Sequence, residues 1–151
     1  MSDFKRKRIR WRGFDYSTAA TYFLTICVEG RRCILCEKDP NVKTPLGEKV
    51  DELINEAVAG NHCLRLVKYV VMPNHIHLLL SIDTHDSAPT IVMFVRYFKR
   101  LCTERLGYSL WQRSFFDHVT RDEREQSMIW DYIDRNPRRW AEDKLNPDCN
   151  T

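Results

Sequence analysis

Two strand-like runs, Leu64 to Val71 and His75 to Ile82, are parted only by Met72-Pro73-Asn74, and this constrains the fold more than anything else in the chain. Both are rich in Val, Ile and Leu, which suit a half-buried pleated surface. A three-residue connection leaves no room for a crossover, so the strands must be antiparallel neighbours. Thr21 to Val28 (TYFLTICV) reads as an earlier strand. Leu110 to Thr120 holds a fourth, around Phe115 to Val119.

Helical periodicity fills the intervals. Thr44 is placed to cap a helix with Pro45 at its first position, and apolar residues follow at Leu46, Val50, Leu53, Ile54, Ala57 and Val58 until Gly60 stops it. Thr90 opens a second helix with core positions Ile91, Phe94, Val95, Phe98, Leu101 and Cys102, ended by Gly107. Asp122, with Glu125 three residues on, resembles a capping box for a last helix that must end near Pro137. The order β-α-β-β-α-β plus a C-terminal helix predicts an α+β, ferredoxin-like fold. Its antiparallel sheet would carry two helices on one face and leave the other open for a ligand. The expected division is a basic arm over residues 1–12, a domain over 13–140 and a polar, fraying tail over 141–151.

Composition narrows the function classes. With 151 residues and 43% hydrophobic content, the chain suits one packed domain rather than a disordered or repetitive one. No apolar stretch approaches the roughly 20 residues of a membrane span. Met1 to Arg12 is charged, with no apolar segment of the secretory type, so a cytosolic protein is expected. The net charge is only +3, yet Lys5, Arg6, Lys7, Arg8, Arg10 and Arg12 crowd the N-terminus. Such an arm either contacts a polyanion or is simply solvated, and Trp11 within it offers a base a stacking surface. Cys33 and Cys36 form a CxxC, but a structural zinc site needs a second ligand pair. The neighbours His62 and Cys63 would point to opposite faces of a strand, which leaves buried thiols as the default.

His75 and His77 carry the sharpest chemistry. Spaced i, i+2 on a strand, they share a face, while Ile76, Leu78 and Leu80 face the core. Two imidazoles on an apolar strand need partners, either a shared metal ion or hydrogen bonds at the sheet surface. Tyr132 and Asn136 stand one helical turn apart. An asparagine amide oxygen is a hard ligand suited to magnesium or manganese. Read by spacing alone, a packed aromatic beside Met128 and Ile129 is the favoured reading of Tyr132, and Asn136 could be merely the helix C-terminal residue before Pro137.

Together these residues resemble a known family. Val70-Val71-Met72-Pro73-Asn74-His75-Ile76-His77 resembles the HUH motif (histidine, bulky hydrophobe, histidine) of small single-tyrosine transposases. Trp111-Gln112-Arg113, Asp117-His118, Arg121-Asp122-Glu123 and Tyr132-Ile133-Asp134-Arg135-Asn136-Pro137 resemble the REP-associated tyrosine transposase branch, and Gly13-Phe14-Asp15-Tyr16 also fits. The likeness runs from about Arg12 to Trp140. It implies a metal-dependent DNA endonuclease and strand transferase that cuts single strands beside imperfect palindromes. His75, His77 and Asn136 would hold Mg2+ or Mn2+, His75 and His77 thereby serving catalysis, and Tyr132 would be the nucleophile. The partner would be single-stranded hairpin DNA, and the protein a monomer or a homodimer.

Candidate DNA contacts are Lys5, Arg6, Lys7, Arg8, Arg10, Trp11 and Arg12 of the arm, and Arg96, Lys99, Arg100 and Arg105 of the second helix. Trp111, Arg113, Arg121, Arg138 and Arg139 complete the set, because cations beside rings suit single strands. A replication-initiator nuclease with the same histidine motif, a catalytically dead hairpin-binding regulator, and an unrelated metal-binding protein are the alternatives.

Overall fold

The computed structural model describes residues 20–82 and 90–147. Lys5 to Arg12 and Gly13 to Tyr16 lie outside the described residues. Four strands, β1 (Ala20–Cys27), β2 (Leu64–Val71), β3 (His75–Ile82) and β4 (Phe116–Val119), form one antiparallel sheet in the order β2-β3-β1-β4. Helices α1 (Pro45–Ala59) and α2 (Ile91–Leu106) connect the strands, and α3 (Glu123–Arg135) follows β4. This is the expected ferredoxin-like α+β arrangement.

Each helix starts where a side chain can satisfy free backbone amides. Thr44 accepts from the Gly47 amide, Thr90 from Met93 and Asp122 from Glu125. The Glu125 carboxylate also accepts from the Arg121 amide, so the predicted capping box forms one residue earlier than its ideal. Gly107 ends α2 in the left-handed region (φ 85°), where a side chain would be strained.

The main core lies between the sheet and α1 and α2. There Leu24, Ile26, Ile76, Leu78 and Leu80 meet Val50, Leu53, Ile54, Phe94, Val95 and Phe98. Trp111, expected to stack on DNA, is buried in this core. It bridges to Val28, and its ring centroid stands 5.7 Å from that of Phe98. The neighbouring Leu110 is buried in the same core, and the Leu110-Trp111 pair was the local sign that this loop folds inward.

The face expected to be open is partly roofed by α3. Ile133 packs on Phe23 and Leu79, with Val67, Val70 and Ile129 around them. Polar contacts pin both ends of the helix. His118 Nε2 lies 3.0 Å from Glu125 Oε2, and Lys68 Nζ lies 2.9 Å from Asp134 Oδ1 and 4.1 Å above the Trp130 ring. Residues 141–147 do not form the expected fraying tail. A 3-10 segment, Pro137–Glu142, leads into a strap whose Leu145 carbonyl accepts from Asn74 Nδ2 at 2.7 Å. Asn146 is buried and donates from Nδ2 to the Trp140 carbonyl at 3.0 Å.

Candidate active site

The alternation of β3 puts Ile76, Leu78 and Leu80 into the main core and turns His75 and His77 toward α3. Both histidines are almost wholly buried. Their Nε2 atoms stand 3.2 Å apart, and a different group occupies each remaining ring nitrogen. His75 Nδ1 lies 2.8 Å from Asn74 Oδ1, and His77 Nδ1 lies 2.9 Å from Thr25 Oγ1. An amide oxygen can only accept, so His75 carries its proton on Nδ1 and presents an Nε2 lone pair.

Burial also keeps the rings neutral. It drives His75 well below the ordinary histidine range, with the neighbouring His77 and then Arg31 adding to the effect. His77 is pushed down to about 4 by burial, opposed by the Leu24 carbonyl and the Asn136 side chain. Neutral imidazoles are the form that binds metals, and here their two Nε2 atoms converge.

Asn136 caps α3 at its C-terminal end. Its Nδ2 donates to the Tyr132 carbonyl at 2.9 Å, whereas its buried Oδ1 makes no well-formed hydrogen bond. A buried amide oxygen left unsatisfied is costly, and an ion beside it would remove that cost. Among the described residues no three His, Cys, Asp or Glu side chains already surround one point, in this cleft or around Cys33, Cys36, His62 and Cys63. A metal set therefore has to draw on the Asn136 amide, and two imidazole nitrogens plus an amide oxygen suit a hard divalent ion with water in its open positions.

Tyr132 stands over this group. Its ring makes edge contacts with His77 (centroids 5.7 Å apart) and Phe23 (6.1 Å), and 47% of the residue is exposed. It is therefore not the packed aromatic that spacing alone allowed. Ile133 takes the buried position, while Met128 is exposed and Ile129 half-buried. Tyr132, His77 and Asn136 share a cleft of about 830 Å³ with Phe115, Phe116, Thr25 and Gln112, and the strap closes one side with Asp143, Lys144 and Leu145.

The cations around the cleft differ from those expected. Arg139 lines it and pairs with Glu142 at 2.7 Å. Arg31, Arg135 and Lys144 also line it, and sequence reading missed all three. Only tertiary contacts bring them there, although Arg31 carries a local mark in its positive φ of 53°. Arg96, Lys99, Arg100 and Arg105 belong to α2, so the sheet separates them from the histidines. Lys99 donates to the carbonyls of Gln112 (2.6 Å) and Arg113 (2.9 Å), and Arg105 is paired with Glu56, so both have structural work. Arg113, Arg121 and Arg138 are exposed.

Comparison with known proteins meets this geometry directly. Residues 18–136 match the model of the family described as "Transposase IS200 like". The chain belongs to the IS200-like transposase family. The ISDra2 transposase TnpA of Deinococcus radiodurans is 30% identical to this transposase over 135 residues, covering 82% of the chain and 88% of the relative. A Haemophilus influenzae protein named as a REP-associated tyrosine transposase is 25% identical over 138 residues, covering 82% and 73%. The fold matches that of a REP-associated tyrosine transposase solved with a REP hairpin, at a TM-score of 0.67 and 23% identity, over 83% of this chain and 70% of the other. The resemblance read from the histidine and tyrosine motifs is thus borne out. The transposase has no helix among its described residues long and apolar enough to cross a membrane.

Proposed function

We propose that this transposase is a divalent-metal-dependent endonuclease and strand transferase, acting in the cytoplasm on single-stranded DNA beside a hairpin. One observation carries the reading: the Tyr132 ring rests against His77 at the cleft where two neutral imidazoles and the buried Asn136 side chain meet. His75, His77 and Asn136 would hold Mg2+ or Mn2+. The bound ion would polarise the scissile phosphate and offset the charge that builds on it.

The chain's own residues account for the rest. A tyrosine hydroxyl ordinarily titrates near 10, so Tyr132 must lose its proton as it attacks. Attack forms a bond from its oxygen to phosphorus and breaks the bond to the 3′ oxygen, giving a 5′-phosphotyrosine and a free 3′-hydroxyl. One phosphodiester replaces another, so a 3′-hydroxyl on a target strand can reverse the step without a nucleotide cofactor. Arg31, Arg135, Arg139 and Lys144 would hold the DNA backbone at the mouth of the cleft, and Phe115 and Phe116 offer rings for an unpaired base. The likeness to a REP-associated tyrosine transposase solved with a REP hairpin favours a hairpin substrate. The test is incubation with a labelled hairpin carrying a short 5′ or 3′ single-stranded tract, with and without Mn2+. A nick and a denaturation-resistant adduct are expected only with Mn2+. Hairpin binding with neither product would favour the regulator alternative.

A further inference from the structure

The strap that follows α3 brings a carboxylate to the histidines. Asp143 Oδ2 lies 3.9 Å from His75 Nε2, and the Asp143 side chain is only 10% exposed. Three contacts hold it there. Asp143 Oδ1 accepts from the Leu145 amide at 2.9 Å, which turns the other oxygen toward the cleft. Asn74 Nδ2 donates to the Leu145 carbonyl at 2.7 Å, tying the strap to the residue before His75. The Trp140 ring lies 6.1 Å from the His75 ring. Asp143 and Asn136 also line the same cleft.

Charge gives the carboxylate its significance. Two imidazoles and an amide are all neutral, and such a set binds hard divalent ions weakly compared with one that includes a carboxylate. Two donors on one ion with bonds of about 2.0–2.2 Å stand roughly 3–4 Å apart. The 3.2 Å between the imidazole nitrogens and the 3.9 Å from His75 to Asp143 fall in that range; His75, His77 and Asp143 do not surround one point as they stand, so an ion would have to draw the Asp143 carboxylate inward. We infer that Asp143 is the anionic member of the metal-binding set, an oxygen donor delivered by the strap and joining His75, His77 and Asn136. This rests on the reading of the cleft as a metal centre and adds to it a ligand from outside the tyrosine helix.

Asp143→Asn isolates the charge, because the amide oxygen can still accept from the Leu145 amide and hold the turn. Mn2+ binding to the DNA-free protein is read by titration calorimetry and by the electron paramagnetic resonance of free Mn2+, with circular dichroism as the check on folding. The variant is expected to keep the wild-type spectrum and bind Mn2+ about 10–100-fold more weakly, the range seen when partners of a metal site are removed. Asp143→Glu, which keeps the charge, should recover part of the loss. Mn2+ affinity within twofold of wild type in Asp143→Asn would overturn the role of Asp143 and leave the wider reading standing. A wild-type protein that forms the adduct without binding Mn2+ would overturn both.

Discussion

The side chains of Asn74 and His75, adjacent in sequence, face each other, with Asn74 Oδ1 2.8 Å from His75 Nδ1. The same amide gives Nδ2 to the carbonyls of Leu145 (2.7 Å) and Arg31 (3.3 Å). One fully buried side chain therefore sets a histidine tautomer and fastens two loops around it. Asn74→Ala should weaken Mn2+ binding about 10–100-fold by releasing the ring. It should also cost about 1–3 kcal/mol of stability, since two carbonyls lose their donor. Calorimetric titration and denaturant unfolding measure the two effects separately.

Tyr132→Phe removes only the hydroxyl from a half-exposed ring. The melting temperature, Mn2+ affinity and hairpin affinity should stay at wild-type values, while nick and covalent adduct fall below detection on a denaturing gel. An adduct of normal yield would move the nucleophile to another of the six tyrosines.

Lys68 holds α3 through Asp134 and Trp130, on either side of Tyr132. The pair is partly exposed and screened by solvent, so its loss should leave the melting temperature nearly unchanged. Its effect on chemistry should be larger, because a misplaced nucleophile is penalised steeply. Lys68→Met is expected to slow single-turnover adduct formation about tenfold or more, with hairpin affinity within twofold of wild type. Equal slowing of binding and chemistry would point to a DNA contact.

Trp111→Ala tests the corrected assignment of that ring. Truncating a core tryptophan costs about 3–5 kcal/mol, so thermal or urea unfolding should shift strongly. Hairpin affinity, measured where the variant is still folded, should be unchanged. A selective loss of affinity without loss of stability would return Trp111 to the DNA interface.

Cysteine reactivity follows burial. Burial pushes both Cys36 and Cys102 up to about 11, and these thiols stay protonated near pH 8. Because the folded protein raises their pKa above that of the unfolded chain, their contribution to stability is present below about pH 8.5 and fades as the pH climbs toward 11. Iodoacetamide at pH 8, read by peptide mass spectrometry, should label the exposed Cys33 and spare Cys36 and Cys102.

Much of this was legible in the chain because the features are local. Alternation in one strand places His75 and His77 on the same side, and Thr44, Thr90 and Asp122 announce their helices through side chains that reach only three residues ahead. The strap is different: Leu145 and Asn146 are ordered by Asn74 and Trp140, and nothing in the polar run itself encodes those partners. The placement of the basic residues of α2 was hidden for a related reason. Their spacing says that they share a helix surface, but only the sheet order shows that this surface lies on the layer away from the cleft. Trp111 looked like a stacking surface because Arg113 stands close by in sequence, whereas its bridge to Val28 draws it inside.

The alternation of β3 has a consequence for how the protein can fail. A slip of one residue in its pairing with β1 would drive both imidazoles into the aliphatic layer and expel Ile76, Leu78 and Leu80 from it. Such a misfold would be unstable before it was inactive. The pressure to keep the hydrophobic interior dry thus also proofreads the geometry of the cleft, and a chain that has folded at all has its two histidines on the face that α3 covers.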